Sequence, residues 1–168
     1  MAYVDRFQLV DGLVGHLDTV IVATLDPFLT TRYVGFVCVS AVTVMELAIR
    51  DILVEFAGRK HRVFGVFCQE LYERLNGRIT LNDLRTNHIK KFGERYVVRF
   101  IRLLEAEELR ELSTSGRSVK SSYGNLITWR NAFAHQGVLP ANASYGEAKQ
   151  GIELGKQVLR CLNTAMTR

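Results

Sequence analysis

The chain has few of the residues that break or cross-link a fold. Only 2 of its 168 residues are proline, Pro27 and Pro140. So few imino acids argue against an irregular, loop-rich chain and for long uninterrupted helices. Cysteine is scarce as well: Cys38, Cys68 and Cys161 are odd in number and widely separated. That excludes a disulfide framework, and no C-x-x-C or H-x-x-x-H spacing suggests a metal site. The three thiols read as reduced core residues in a reducing compartment, so a cytoplasmic protein is expected. No apolar run is long enough for a bilayer, since the strongest, Tyr33 to Met45, meets Glu46 at once. Asp5 and Asp11 interrupt the N-terminus, so neither a signal peptide nor a membrane partner is expected. Charge of one sign is not concentrated: 22 Lys and Arg against 17 Asp and Glu leave +5, a mild bias toward polyanions. With no repeat, low-complexity segment or linker, residues 1–168 read as one domain able to bury a core.

What the chain does have is helical periodicity. Leu9, Val10, Leu13, Val14, Leu17, Val20, Ile21 and Leu25 form the stripe of a first helix, from about Asp5 to Leu25. Asp26-Pro27 breaks the chain and restarts it, proline being suited to a first helical turn. A second helix is expected from Pro27 to about Ala57, stopping at Gly58. It is apolar on nearly all sides in its first half and belongs in the centre of the structure. A third covers roughly His61 to Asn76 with Phe64, Phe67, Cys68, Leu71 and Leu75 inward, ended by Asn76-Gly77. Thr80 caps a fourth that reaches about Phe92, and a fifth runs from Glu94 to about Leu112 on Val97, Phe100, Ile101 and Leu104. Ser113-Thr114-Ser115-Gly116 reads as a loop. After the next helix, Ser144-x-x-Glu147 is a capping box, and Ala148, Ile152, Gly155, Leu159, Leu162 and Met166 form the seam of the last. The expected fold class is all-α: an antiparallel helical bundle with a long central helix and short accessory helices.

One helix carries unusual polar residues. Trp129-Arg130-Asn131-Ala132-Phe133-Ala134-His135-Gln136-Gly137 gathers a guanidinium, an amide and an imidazole inside an apolar pattern of Val119, Tyr123, Leu126, Ile127, Phe133 and Ala134. At about 100° per residue Arg130 falls near the centre of the apolar stripe, where a core residue would stand. Asn131 and His135, four apart, share one edge of it. Arg130 and His135 are about 140° apart on the helix. They converge only if the last turn unwinds or a second copy of the helix lies opposite. An inward guanidinium is costly unless paired, so Arg130 either has a buried carboxylate or opens into a solvated cleft that holds an anion. Glu46, the only acid between Asp26 and Asp51, is one partner for it, and Arg50 at i+4 is an alternative partner for Glu46. The remaining polar signals are weaker. His61 and His88 lie among basic residues and read as solvated faces. Lys90, Lys91, Arg95, Arg99 and Arg102 form either a phosphate-tracking surface or a soluble exterior. Tyr123 and Trp129 could stack on a base, but aromatics beside an apolar stripe read first as core.

Arg130-Asn131-x-x-x-His135 resembles the R-N-x-x-x-H motif of the HEPN superfamily. The lone acid in Met45-Glu46-Leu47-Ala48-Ile49-Arg50 resembles the acidic position on an early core helix of those domains. The segment from Ile79 to Gly93 and the capped C-terminal helix are similar to the RiboL-PSP-HEPN branch. The resemblance implies a metal-independent endoribonuclease with no cofactor, acting on RNA as a toxin or defence effector. It implies a homodimer through the motif helix, with both Arg130–His135 sets in one cleft, and a cognate antitoxin or a nucleotidyltransferase as a further partner. In this reading His135 moves protons near neutral pH, Arg130 holds the phosphate oxygens, Asn131 orients the imidazole or a phosphate oxygen, and Glu46 supports Arg130. Cleavage by the substrate's 2′-hydroxyl would give a 2′,3′-cyclic phosphate. The alternative it leaves open is a non-catalytic module that binds RNA or nucleotide, or only dimerises.

Overall fold

The computed structural model describes residues 2–23, 26–73, 75 and 77–167. All regular structure among them is helical. A first turn, α1 (Ala2–Asp5), is separated at Arg6 from α2 (Phe7–Ala23). The central element is α3 (Pro27–Lys60), 34 residues and about 51 Å long at 1.5 Å per residue. It starts where the sequence says it should: Pro27 occupies the first turn and Asp26 accepts the Phe28 amide at 2.8 Å. It runs three residues past Ala57, because His61 both closes it and caps α4 (Arg62–Leu71) with its ring nitrogen.

The stretch after Thr80 is not one regular helix. The reciprocal Thr80–Asp83 capping box opens α5 (Leu81–Asp83), which widens into a π-helical turn at Leu84–His88 and tightens into a 3-10 turn at Ile89–Phe92. Gly93, at φ +123°, turns the chain into α6 (Glu94–Ser115). The serines and threonine read as a loop are its last turn, because Ser113, Thr114 and Ser115 bond back to carbonyls of Arg110 and Glu111. The last two helices are α7 (Val119–Gln136) and α8 (Tyr145–Thr167). At α8 half of the expected capping box is made: Ser144 accepts the Glu147 amide at 3.2 Å, while the Glu147 carboxylate pairs with Arg117 at 3.3 Å.

α3 lies between α7, α8, α4 and α2, and its residues Val37, Cys38, Ala41, Met45, Ala48 and Ile49 are fully buried. Two glycines of α8 bring its neighbours close, Gly151 toward α7 and Gly155 toward α3. A Cβ on Gly151 would lie 2.7 Å from Leu126, and one on Gly155 would overlap Met45. The architecture is the all-α bundle that the periodicity demands.

The inward assignment fails at Leu9 of α2, which is 74% exposed, and over much of α4. In α4, Cys68 is buried and Phe64 half-buried, but Phe67 is 59% and Leu71 42% exposed. α4 is also shorter than expected, ending at Leu71. Asn76, read as its stop, lies outside the described residues, as does Leu25 at the expected end of the first helix. His88 reverses its reading entirely. It is 5% exposed, and its Nε2 donates to the Arg78 carbonyl at 2.7 Å.

Candidate functional site

α7 is helical without interruption from Val119 to Gln136. Ser118 caps its start, and Gly137, left-handed at φ +69°, ends it. One side of the helix is sealed by Tyr123, Leu126, Ile127 and Trp129, all buried. The Tyr123 hydroxyl is anchored on the Ile79 carbonyl at 2.6 Å, tying the helix to the chain that precedes α5. Phe133 fits against Gly35 of α3, where any Cβ would run into its ring. The opposite side of α7 is open: Ser121, Thr128, Asn131, Ala134 and His135 are exposed. Ala134, assigned to the apolar stripe, thus belongs to the open face.

Arg130 lies between the two sides. Its side chain is 23% exposed, and its Nη2 is 3.6 Å from Glu46 Oε1 on α3. The carboxylate near Arg50 is Asp51, at 4.0 Å. So Glu46 faces Arg130, and the choice left open by the sequence is decided. The other guanidinium nitrogen, Nη1, donates to Asn131 Oδ1 at 3.0 Å. A Cβ on Gly77, which has φ +77°, would lie 3.1 Å from that same Nη1. Glycine at this position therefore suits both the left-handed turn and the close approach of the backbone to the guanidinium. Two buried polar atoms of the pair, Glu46 Oε1 and Arg130 Nε, have no hydrogen-bond partner.

These contacts leave the Glu46 carboxylate short of compensation. Burial pushes its carboxyl above the usual range, and the Arg130 charge and the Gly77 backbone amide only partly offset that. Glu46 also walls a pocket of about 180 Å³ together with Thr43, Leu47, Arg50, Tyr72 and Glu73. Arg130 is not among the walls, so this pocket opens on the carboxylate side of the pair.

The structure therefore brings together Glu46, Arg130 and Asn131, and it places His135 one turn further along the open face, past Asn131. Arg32 of α3 also belongs to this end of α7, although nothing in the sequence singles it out. Its Nη1 donates to the Gly137 carbonyl at 3.0 Å, and its guanidinium lies 4.8 Å from the Phe28 ring and 5.9 Å from the Phe133 ring. It clamps the cap of the turn that carries His135. Gly77 was legible only as a helix stop, and its contact with Arg130 has no local signal. Among the described residues no group of three His, Cys, Asp or Glu side chains gathers as metal ligands would. No helix among them is long and apolar enough to cross a membrane.

An all-helical bundle with an R-N-x-x-x-H helix end braced by an acid on the long central helix defines a HEPN-type domain. The sequence model of the RiboL-PSP-HEPN family matches residues 2–168, and the chain belongs to that family. No curated protein and no solved structure matches it. Membership carries an RNA-related function at the level of the superfamily, whose domains commonly dimerise and bind RNA.

Proposed function

We propose that the protein is a metal-independent endoribonuclease, working as a homodimer across the open face of α7. The observation that carries this reading is the division of labour on one helix end. Arg130 is held by Glu46 at the edge of the core, and Asn131 and His135 project from the exposed side. Two copies meeting on that side would bring two imidazoles and two guanidinium groups around one phosphodiester.

The chemistry then balances without a metal. The 2′-hydroxyl loses its proton to one His135 and attacks the adjacent phosphorus. The bond from phosphorus to the 5′-oxygen breaks, and that oxygen takes a proton from the second His135. Arg130 neutralises the non-bridging oxygens as charge builds, and Asn131 links it to the histidine side of the cleft. The products are a 2′,3′-cyclic phosphate and a 5′-hydroxyl. Such an activity suits a toxin or defence effector.

The test is cleavage of end-labelled RNA in EDTA by the full-length protein, with the new 3′ end identified by mass. His135→Ala and Arg130→Ala should each lower the rate by about 10²–10⁴-fold. Equal cleavage by both variants and the parent ends the assignment.

A second reading has its own support. The Arg130 guanidinium already has Glu46 and Asn131 as partners within the chain. A guanidinium so engaged suits a module that binds RNA or a nucleotide without turnover, paired with an antitoxin or a nucleotidyltransferase. That reading predicts saturable RNA binding, lost in Arg130→Ala, and no cleavage at any enzyme concentration.

A further inference from the structure

α4 turns an apolar face outward. Val63, Val66, Phe67 and Leu71 are 68%, 57%, 59% and 42% exposed. Beside them lies an apolar pocket of about 290 Å³, with Phe64, Phe67, Cys68 and Leu71 on one wall and Lys91 and Phe92 on the other. Its floor belongs to an aromatic cluster: Phe92 meets Phe64 at 5.7 Å and Phe56 at 5.4 Å, and Phe56 meets Tyr96 at 5.0 Å.

Cations ring this cluster. Lys60 Nζ lies 5.3 Å over Phe56, Lys91 Nζ 5.6 Å over Tyr72, and the Arg95 guanidinium 4.6 Å over Tyr96. Among the described residues none of the three has a carboxylate in ion-pair reach. Glu70 of α4 and Glu73 just beyond its end are exposed.

Apolar centre and basic rim together select the occupant. Contiguous exposed apolar surface beside a groove marks an interaction site. RNA would place phosphates against the rim but give the valine and phenylalanine side chains nothing apolar to meet. A second copy across a two-fold would set the same cations against each other. A small anion would fill the pocket and leave Val63 and Val66 in water. A bilayer takes up protruding side chains rather than a two-walled groove.

We propose that this face receives an acidic amphipathic helix of another protein. Its apolar residues lie on Phe67 and Leu71 and enter the pocket, and its carboxylates face Lys60, Lys91 and Arg95. This surface is separate from the motif end of α7 and does not depend on RNA cleavage.

The probe is a pair of fluorescein-labelled amphipathic peptides with one shared Leu/Phe face, one bearing Glu and the other Lys on the polar face. Each is titrated with the full-length protein and followed by anisotropy. The Glu peptide binds saturably and more weakly as salt rises, and the Lys peptide does not bind. Phe67→Glu weakens binding about tenfold or more, and the triple variant K60E/K91E/R95E reverses the preference between the peptides. Phe67 is exposed, so the F67E protein should melt with the parent, and Val63→Glu replaces it if it does not.

The proposal is overturned if neither peptide binds, if both bind alike, or if the F67E and V63E proteins bind as the parent does. Binding to phosphatidylserine vesicles that F67E abolishes would make this a membrane-facing surface instead. A dimer-to-monomer change of F67E in sedimentation would make it a contact between copies.

Discussion

Glu46→Gln distinguishes a structural ion pair from a poised guanidinium. At 3.6 Å, with an effective dielectric of about 20, the attraction between Glu46 and Arg130 is about 4–5 kcal/mol. Against it stands desolvation, which runs to several kcal/mol per ion. The balance is visible in the carboxyl itself, where burial outweighs both Arg130 and the Gly77 amide and leaves the acid easier to protonate than usual. The fold as a whole therefore disfavours this negative charge. Glutamine keeps the shape and removes the charge. Arg130 loses its counter-ion but keeps Asn131 and, at 23% side-chain exposure, some water. These effects oppose, so stability at pH 7 should stay within about 1 kcal/mol of the parent.

The direction with pH follows from the same fact. A carboxyl raised in the folded state contributes stability that is fully present below its unfolded value, near 4.5, and is lost as pH rises through the raised value. The parent should gain on the Gln variant as pH falls from neutrality toward that value. The assay is urea unfolding at a series of pH values, read by the fluorescence of Trp129, the single tryptophan and 3% exposed. A loss in Glu46→Gln of about 3 kcal/mol or more at pH 7 is what breaking a well-compensated buried pair would cost. With the opposite pH trend, that result would refute the reasoning.

The same variant should separate binding from turnover: with the competing carboxylate gone, E46Q should hold RNA more tightly in a filter assay yet cleave it more slowly. Tyr123→Phe removes a buried hydroxyl from the Ile79 carbonyl, and a loss of about 1–3 kcal/mol in urea unfolding is expected. Burial holds His88 below its ordinary value of 6.5, so its contribution is intact above that value and lost as pH falls below it. The parent should lose more melting temperature than His88→Gln on going from pH 7.5 to pH 5.

Helix positions were legible wherever burial follows a single period. Val37, Ala41, Met45 and Ala48 are buried because α3 is enclosed by neighbours, and an all-round apolar pattern says so directly. The apolar spacing of α4 carried the same message and was misleading, because it records an apolar face without saying what meets it. His88 failed for the opposite reason. Its sequence neighbours Lys90 and Lys91 are exposed, while the π-helical turn at Leu84–His88 shifts the register and turns the imidazole inward. At the motif, the inward guanidinium could be read from the wheel alone, and Glu46 stood out as the lone acid of its segment. Whether it would meet Arg130 or Arg50 could not be read, because that depends on how α3 packs against α7. Arg32 could not, because its partner Gly137 is 105 residues away and accepts through a backbone carbonyl.

The motif helix itself narrows how Arg130 and His135 can cooperate. Convergence within one chain requires the last turn to unwind, and it does not: α7 is helical through Gln136, and Arg32 clamps the Gly137 carbonyl behind it. The two residues leave a regular helix about 140° apart, so the Arg130 and His135 of one copy start on different sides of it. Under the two-fold arrangement proposed above, one phosphodiester takes its base from the His135 of one protomer and its acid from that of the other. A dimer with a single His135→Ala protomer then lacks one of the two groups and should be slow. When parent and His135→Ala protein are co-refolded in equal amounts, random pairing leaves about a quarter of the dimers with both imidazoles, and cleavage should fall to about a quarter of the rate of the same amount of parental dimer. If each protomer used only its own groups, about half of the rate would remain. A mixture of two folded, dimeric proteins that keeps half of the rate would therefore remove the shared cleft, whatever the parent does to RNA.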